Sequence, residues 1–265
     1  MSCEQCTQGY VLPGEPAGSI VDGAYFHPAP EGSPKSSAIV LLTDIFGLPL
    51  KNSKLIADEL SKGVGCDVWV PDLFAGNPPF KVEELEPLMP QRPSESITFV
   101  NTLRMIVLAL SRAFRLYGVR GSVVDSRINS FIQKVKEEKK YEKIGAVGYC
   151  FGGSVGIRLG QTDLVNSLVI CHPGGCTVAQ IKAIKVPTSW VCAESDMTFK
   201  PPLRNQAEAV FAARKEKEDY VDYEFKDYRG TVHGFAARPN LGIPEVYDAY
   251  KAALDQTITW FQKTL

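Results

Sequence analysis

The chain has 265 residues, of which 45% are hydrophobic and 22% are charged, so it is long enough to bury a full α/β core. We therefore expect one domain covering residues 1–265. The formal net charge of −1 provides no basic field for nucleic acid. No run of eighteen apolar residues occurs, and the N-terminus lacks the basic and apolar regions of a signal peptide, so we expect no membrane association and a cytoplasmic location.

The chain begins with a segment whose composition differs from the rest. Glycine and proline cluster at 14–18 and 28–34, which predicts an N-terminal excursion over residues 1–35 before the sheet. Cys3 and Cys6 form a C-x-x-C pair, but no second pair at zinc spacing follows, so no metal site is expected. Seven cysteines, an odd number, favour reduced thiols over a disulfide framework.

Strands and helices alternate along the rest of the chain without a repeat. Continuous apolar runs predict buried parallel strands at 38–42, 66–70, 143–148, 167–171 and 188–192. Alternating aromatic and charged residues predict an edge strand at 220–225. Apolar residues at helical spacing predict helices at 51–62, 122–139, 153–160, 202–218 and 244–263. A further series at helical spacing is expected to pack against the sheet: Leu103, Ile106, Val107, Leu110 and Phe114.

The most informative stretch is Gly148-Tyr149-Cys150-Phe151-Gly152-Gly153, directly after the strand predicted at 143–148. It has the pattern of a nucleophile elbow, with sulfur in place of the usual oxygen. Gly148 and Gly152 flank Cys150 at positions where larger side chains would collide in a strained turn. A helix that begins here favours the thiolate through its dipole and its free N–H groups. Because an isolated cysteine is more often a buried core residue, the assignment depends on the rest of the chain.

Two later segments contain the partners that a nucleophilic cysteine requires. An apolar run ends in Glu194-Ser195-Asp196, and His233 stands beside a glycine near the C-terminus. The order nucleophile, acid, histidine is that of α/β-hydrolases, in which His233 would move the proton and Asp196 would orient the imidazole. Glu194 is the rival acid, but Asp196 lies farther past the strand. His172 precedes the acid, so we assign it to the pocket lining, with a structural role in its loop as the alternative.

These motifs resemble those of the dienelactone hydrolase family. The matching segments stand in family order: Thr43-Asp44-Ile45-Phe46-Gly47, Val70-Pro71-Asp72-Leu73-Phe74, the elbow, Glu194-Ser195-Asp196, and Val232-His233-Gly234-Phe235-Ala236-Ala237-Arg238, the last in the style of the fungal cytoplasmic branch. The resemblance implies an α/β-hydrolase fold, with a mostly parallel central sheet and helices on both faces. It also implies that Cys150, Asp196 and His233 form the triad, and that the backbone N–H groups of Ile45 and Phe151 form the oxyanion hole.

The chain departs from the family at the residues expected around the substrate. We assign substrate contacts to Asp44, Phe46, Tyr149, His172, Phe235 and Arg238. Bacterial members carry a glutamate at the position of Asp44, which here either helps to activate the thiol or only holds its loop. They bind a substrate carboxylate through two arginines and a serine, at positions that in this sequence read Gly76, Ala237 and Gly234. Arg238 lies one residue after the position of the second arginine, so we expect most of the site that binds the substrate carboxylate to be missing.

We therefore predict a cysteine hydrolase that opens lactone or ester bonds of small molecules through an acyl-thioester on Cys150, without a metal or cofactor. It would act as a monomer or homodimer. One alternative is a ligand-binding or redox-sensing protein that kept the fold but not turnover. Another alternative is a glucan hydrolase, the activity described for plant relatives of the family. Such an enzyme would use Asp44 and Asp196 and would leave Cys150 without a role.

Overall fold

The computed structural model describes residues 10–265; Cys3 and Cys6 lie outside the described residues, so the expectation about them stays a prediction. The strands of this part are β1 (Ser19–Val21), β2 (Ala24–His27), β3 (Ser37–Leu42), β4 (Asp67–Val70), β5 (Lys143–Tyr149), β6 (Ser167–Cys171), β7 (Thr188–Ser195) and β8 (Tyr223–Val232). The α-helices are α1 (Asn52–Val64), α2 (Val82–Leu85), α3 (Phe99–Ser111), α4 (Ala113–Gly118), α5 (Gly121–Lys139), α6 (Phe151–Leu159), α7 (Val178–Lys182), α8 (Pro201–Ala212) and α9 (Pro244–Thr264). A short 3₁₀ helix follows α2 at Glu86–Leu88.

The strands form one sheet in the order β1-β2-β4-β3-β5-β6-β7-β8. All pairs from β4 to β8 are parallel, which confirms the predicted mostly parallel sheet. In the centre, β3 pairs with β5 so that Leu42 lies opposite Gly148. Because parallel strands end at the same edge, the loops that follow β3, β5, β7 and β8 meet there.

Residues of the central strands alternate between two packed faces of the sheet. In β3, Ala38, Val40 and Leu42 face the side covered by α5, α6, α7 and α8. Ile39 and Leu41 face the other side, covered by α1 and α9. All five side chains are fully buried, as expected for a strand that is apolar throughout. The prediction of helices on both faces is confirmed.

The bounds of the elements agree with the predictions best where the chain is continuously apolar. The strand predicted at 167–171 has those bounds, whereas the edge strand predicted at 220–225 runs from Tyr223 to Val232. Its extra length comes from pairing with β7, in which a register shift between Ala193 and Ser195 lets both strands continue. The two strands thereby carry Asp196 and His233 to the same edge of the sheet.

The N-terminal segment was expected to precede the sheet, and this expectation is wrong for residues 19–27. Strands β1 and β2 form an antiparallel hairpin, and β2 pairs with β4 so that Tyr25 lies opposite Val70. The Tyr25 hydroxyl donates to the buried Asp58 carboxylate of α1, which also accepts from Ala17 N at 2.7 Å. The hairpin therefore extends the sheet at its β4 side and is fixed to a helix.

Helix α3 lies in the segment expected to pack against the sheet, but the predicted burial is wrong. Leu103, Leu110 and Phe114 are 52%, 71% and 93% exposed. The opposite side of this segment packs inward, where Leu108 and Leu116 contact a small cluster around Phe46 and Phe80. The apolar spacing identified a helix correctly, but it could not distinguish which of its apolar sides faces the protein.

None of the helices within residues 10–265 combines the length and the apolar character that a bilayer crossing requires. Across the same residues, no three His, Cys, Asp or Glu side chains come together in a way suited to a metal ion. The expectations about domain number and cellular location stay predictions.

Candidate active site

Cys150 occupies a single-residue turn between β5, which ends at Tyr149, and α6, which begins at Phe151. Its φ of 52° and ψ of −112° are outside the regions that non-glycine residues normally adopt. Backbone hydrogen bonds hold this conformation, since Cys150 N donates to Cys171 O at 3.1 Å and Cys150 O accepts from Gly174 N at 2.7 Å. The strained turn places the thiol at the start of the helix and in the wall of a cavity.

The turn is possible because two glycines let three backbone segments approach closely. A Cβ atom on Gly148 would lie 2.2 Å from Gly152 O, and one on Gly152 would lie 2.1 Å from Leu42 O. The Gly152 N–H donates to Thr43 O at 3.0 Å, which ties the first turn of α6 to the loop after β3. The glycine pattern in the sequence therefore has a steric cause in this fold.

His233 and Asp196 lie together at the ends of β8 and β7. His233 Nδ1 is 3.0 Å from both carboxylate oxygens of Asp196. The Asp196 Oδ1 atom also accepts from the backbone N–H groups of Thr198 at 2.8 Å and Phe199 at 3.0 Å. Burial alone would raise the pKa of Asp196, but the charge of His233 and these hydrogen bonds outweigh it and lower the pKa. Asp196 is therefore an ionised, firmly held partner of the imidazole.

His233 and Cys150 line the same cavity, and Cys150 is close enough to influence the imidazole. Burial would lower the pKa of His233, but the negative charges of Cys150 and Asp196 raise it well above its ordinary value. The structure therefore favours a protonated imidazole between Cys150 and the Asp196 carboxylate. Such a pair is the arrangement that activates a cysteine nucleophile.

The rival acid, Glu194, does not reach the imidazole. Its side chain is exposed and accepts a hydrogen bond from Gly230 N at 2.7 Å. A residue that the sequence reasoning missed, Thr198, is closer. Its hydroxyl lies 2.8 Å from Asp196 Oδ1 and 3.2 Å from His233 Nδ1, and it donates to Pro173 O. The Asp-x-Thr spacing after a strand was the available signal, because such a pair forms a tight side-chain turn.

His172 was assigned to the pocket lining, and the structure does not support that assignment. It lies behind His233, with their ring centroids 5.1 Å apart, and is fully buried. Tyr149 and Phe235, also expected to contact substrate, pack against its ring at 6.2 and 5.8 Å and are likewise buried outside the cavity wall. Burial and the charge of His233 lower the pKa of His172 to about 3, so it stays neutral. His172 therefore packs against the His233 ring, and Tyr149 and Phe235 pack against His172.

The cavity beside Cys150 has a volume of about 510 Å³. Its wall is mostly apolar and combines the loop after β3, the segment from α2 to α4, and the elbow. The residues that line it include Ile45, Phe46, Leu85, Met89, Leu116, Val119, Phe151, Met197, Arg120, Arg158 and Arg238. Ile45 and Phe151 both flank Cys150 there. Phe151 is the first residue of α6, so its N–H lacks an acceptor within the helix and is free to meet an oxyanion.

Arg238 reaches the cavity despite its shifted position, but two carboxylates already hold it. Its Nε donates to Asp44 Oδ2 at 2.7 Å, and its Nη1 contacts the Glu86 carboxylate. Its guanidinium also lies 4.8 Å from the centre of the Phe46 ring. Asp44 itself does not line the cavity, because it lies behind this arginine and accepts from Phe46 N at 3.1 Å. A buried cluster of two acids and one base therefore forms one wall.

One of the positions that depart from the family pattern, Gly234, is explained by Arg238. Gly234 has a φ of 98°, and a Cβ atom there would lie 2.6 Å from Arg238 Nη2, so glycine leaves room for the guanidinium. Ala237 is buried, and its carbonyl accepts from Asn52 Nδ2 at 2.9 Å. Gly76 is exposed and is not part of the cavity wall. Glu86 was missed because nothing in its sequence surroundings indicates a partner so far along the chain.

The family follows from a comparison of the chain with known proteins. The model of the dienelactone hydrolase family matches residues 23–265. The chain belongs to the dienelactone hydrolase family. The hydrolase pyvD of Aspergillus violaceofuscus is 28% identical over 263 residues, covering 98% of this chain and 96% of that protein. The carboxymethylenebutenolidase homolog of Homo sapiens is 25% identical over 211 residues, covering 76% of this chain and 71% of that protein.

Solved structures of a putative dienelactone hydrolase and of an esterase share the fold. A putative dienelactone hydrolase from Klebsiella pneumoniae has a TM-score of 0.63 at 14% identity, over 90% of this chain and 91% of that one. The carboxyl esterase 2 of Tuber melanosporum has a TM-score of 0.56 at 15% identity, over 91% of this chain and 81% of that one. The predicted α/β-hydrolase fold is confirmed, and the protein is a hydrolase of the carboxylic ester class.

The close approach at the elbow predicts the effect of adding one methyl group. We expect Gly152→Ala to lower the free energy of unfolding by about 1–3 kcal/mol, because the Leu42 carbonyl cannot move away without disturbing the sheet. Chemical denaturation followed by circular dichroism would measure this change. Gly175→Ala is the control, since nothing lies within 4 Å of its added Cβ atom. Equal stability of the two variants would contradict the steric account of the turn.

Proposed function

We propose that this protein hydrolyses lactone or ester bonds with Cys150 as nucleophile, His233 as proton carrier and Asp196 as the orienting acid. The observation that carries the proposal is the placement of a strained, cavity-facing thiol against an imidazole that a buried carboxylate holds at 3.0 Å. These three groups come from loops after three different strands, so their convergence is not a product of local sequence. The family match supports the same class of bond.

The proposed reaction begins when the Cys150 sulfur attacks the carbonyl carbon. The carbonyl oxygen gains charge beside the N–H groups of Ile45 and Phe151, which would stabilise the tetrahedral intermediate. His233 then protonates the departing alkoxide as the carbon–oxygen bond breaks, leaving an acyl-thioester on sulfur. A water molecule, deprotonated by His233, attacks the thioester and releases the carboxylic acid. The thiolate and the imidazolium are restored, and one water has been added across the bond.

The cavity favours substrates without a carboxylate. Arg238 is paired twice, and Arg158 is held by Asp125 through two hydrogen bonds of 2.7 and 2.8 Å. The remaining arginine of the wall, Arg120, is exposed at the mouth, where water weakens its attraction for an anion. A buried carboxylate without a partner is costly to desolvate. Neutral lactones and esters therefore suit this cavity better.

The glucan alternative finds little support in the arrangement of the carboxylates. Asp44 is bonded to Arg238, and Asp196 is bonded to His233. Neither lines the cavity beside Cys150. Glycoside hydrolysis needs two carboxyl groups facing each other across the substrate. The alternative of binding without turnover is decided by the next experiment.

Cys150→Ala should abolish hydrolysis of p-nitrophenyl acetate while the circular dichroism spectrum stays unchanged. Cys150→Ser should lose at least ~100-fold in kcat, because an alcohol is a weaker nucleophile in a site built around a thiolate. Mass spectrometry of the wild type during turnover should detect an acylated Cys150. Cys176→Ala is the matched control, since this half-buried thiol lies outside the triad. Full activity in Cys150→Ala, or an inert Cys150 thiol, would leave a binding role instead.

The His233 pKa predicts how activity depends on pH. In the wild type, kcat/KM should fall at alkaline pH only above the ordinary histidine range, because the raised pKa keeps the imidazole protonated. Asp196→Asn removes a charge that raises this pKa, so the alkaline limb should move to lower pH and kcat/KM should fall at least ~100-fold. Glu194→Gln should keep the wild-type profile. An unchanged pH profile in the Asp196→Asn variant would exclude Asp196 as the acid that orients the imidazole.

The pairing of Arg238 predicts the choice between two matched substrates. The wild type should hydrolyse the methyl ester of a carboxylated lactone with a higher kcat/KM than the free acid. Glu86→Gln removes one of the two charges that hold Arg238, so the ratio should shift toward the free acid by roughly 10-fold, the effect of ~1.4 kcal/mol of attraction. Glu83→Gln, an exposed position on α2, is the control. A wild type that strongly prefers the free acid would contradict this account of the cavity.

A further inference from the structure

The outer side of α3 and α4 exposes an unusual number of apolar side chains. We call this surface the cap face; it consists of Phe99, Val100, Leu103, Ile106, Val107, Leu110, Phe114 and Tyr117. Each of these residues is at least half exposed, and Phe99 and Phe114 are 83% and 93% exposed. None of them takes part in the cavity or in the proposed chemistry. The cap face is therefore unexplained by the hydrolase function.

The area of the cap face is larger than a monomer usually leaves in water. A fully buried aromatic side chain covers ~150–250 Å², so the three aromatic residues alone expose on the order of 400–600 Å². That range already equals the ~300–600 Å² of the largest apolar patch on a typical monomer. Five aliphatic residues add to it, which brings the surface close to the ~800 Å² that each partner contributes to a standard interface.

The spacing of the cap face fits a helix as its partner. Phe99, Leu103, Ile106 and Leu110 alternate four and three residues apart, the spacing of a seam between packed helices. At 100° per residue, the exposed apolar residues of α3 span roughly 120° of its circumference, with no charged residue inside that arc. The inward side of the segment is also apolar, and there Leu108 packs on the Phe46 cluster. A helix that is apolar on both sides is normally covered on both.

We propose that the cap face packs against the cap face of a second copy of this chain, forming a two-fold symmetric dimer. A symmetric interface must be complementary to itself, and the charges at the two ends of the seam meet that condition. Glu95 is exposed just before α3, and Arg115 is exposed on α4 just after it. With the two-fold axis at the midpoint of α3, the helices run antiparallel. Arg115 of each copy then lies at the same end of the interface as Glu95 of the other, whose carboxylate also accepts from Gln91 N at 2.7 Å.

A lipid surface is a poorer occupant for the cap face. Helices that lie in a membrane interface have a strongly polar face rich in lysine and arginine opposite the apolar one. Within α3 and α4 the only charged residues are Arg104 and Arg115, and Leu108, on the side opposite the cap face, packs against the Phe46 cluster. The acidic Glu95 at one end would also be repelled by anionic lipid. The combination of two apolar sides and opposite charges at the ends favours a protein partner.

Dimerisation would also affect the cavity beside Cys150. Helix α4 carries Phe114 and Tyr117 of the cap face and also Leu116, which lines the cavity. Two further residues of the cavity wall directly follow this helix, Val119 and Arg120. Packing of the cap face would therefore fix this part of the cavity wall. The dimer itself does not depend on the proposed chemistry, because the cap face contains none of the triad residues.

Sedimentation velocity and light scattering on the intact protein test the proposal. The wild type should have twice the chain mass of 29.1 kDa at micromolar concentration. Ile106→Glu should raise the dimer Kd at least ~100-fold, because a carboxylate at the centre of an apolar interface must be desolvated. Phe114→Glu, at a more exposed position, gives a second variant if Ile106→Glu folds poorly. Ile20→Glu is the control, since Ile20 is 60% exposed on β1, far from the cap face in the sheet order.

A charge exchange tests the antiparallel arrangement. Arg115→Glu alone should weaken the dimer roughly 3–10-fold by placing two acids together, and adding Glu95→Arg should restore the wild-type Kd. A monomeric wild type would overturn the proposal, as would a dimer that survives both glutamate variants or dissociates in the Ile20→Glu control. Flotation of a monomer with phosphatidylcholine and phosphatidylserine vesicles, lost in Ile106→Glu, would also overturn it and assign the cap face to lipid.

Discussion

The close contact between the first turn of α6 and the end of β3 is the constraint on which the site depends. Only hydrogen fits between Gly152 and the Leu42 carbonyl, and only this approach lets Cys150 adopt its strained φ and ψ. The parallel pairing of Leu42 with Gly148 sets the distance between the two segments. The same contact fixes the loop that carries Ile45, so one packing arrangement positions the proposed nucleophile and the proposed oxyanion donors.

Charges around this framework are arranged in two buried groups with different purposes. In one, His233 lies between Cys150 and Asp196, and the net effect is a protonated imidazole with room for a proton to move. In the other, the positive charge of Arg238 is balanced by the carboxylates of Asp44 and Glu86. A buried pair that lacks one partner is strongly destabilising, so each acid in the second group is needed as much as the base. In the proposed mechanism, the pairing of the first group changes during the reaction, whereas that of the second stays fixed.

The sequence predicted those features of the fold and of the candidate site that depend on local patterns of residues. Continuous apolar runs identified the central strands, and the glycines around Cys150 identified the elbow. It did not reveal the β1–β2 hairpin, whose strands of three and four residues are too short for a periodic signal. Contacts between distant residues, such as Arg238 with Glu86, also leave no local trace. The prediction that His172 lines the pocket was wrong for a similar reason, because a residue at the carboxyl edge of a sheet can face either the cavity or the packed interior behind it.

The sheet order has a consequence for how the protein reaches its active form. Neighbouring strands β3 and β5 are separated by about a hundred residues of chain, and such long-range pairing slows folding. Cys150, the proposed nucleophile, is synthesised before His233, which follows β8. On the ribosome, the thiol therefore emerges long before the imidazole that governs it. In the proposed mechanism, Cys150 can acquire its catalytic character only after β8 has been synthesised and has joined the sheet.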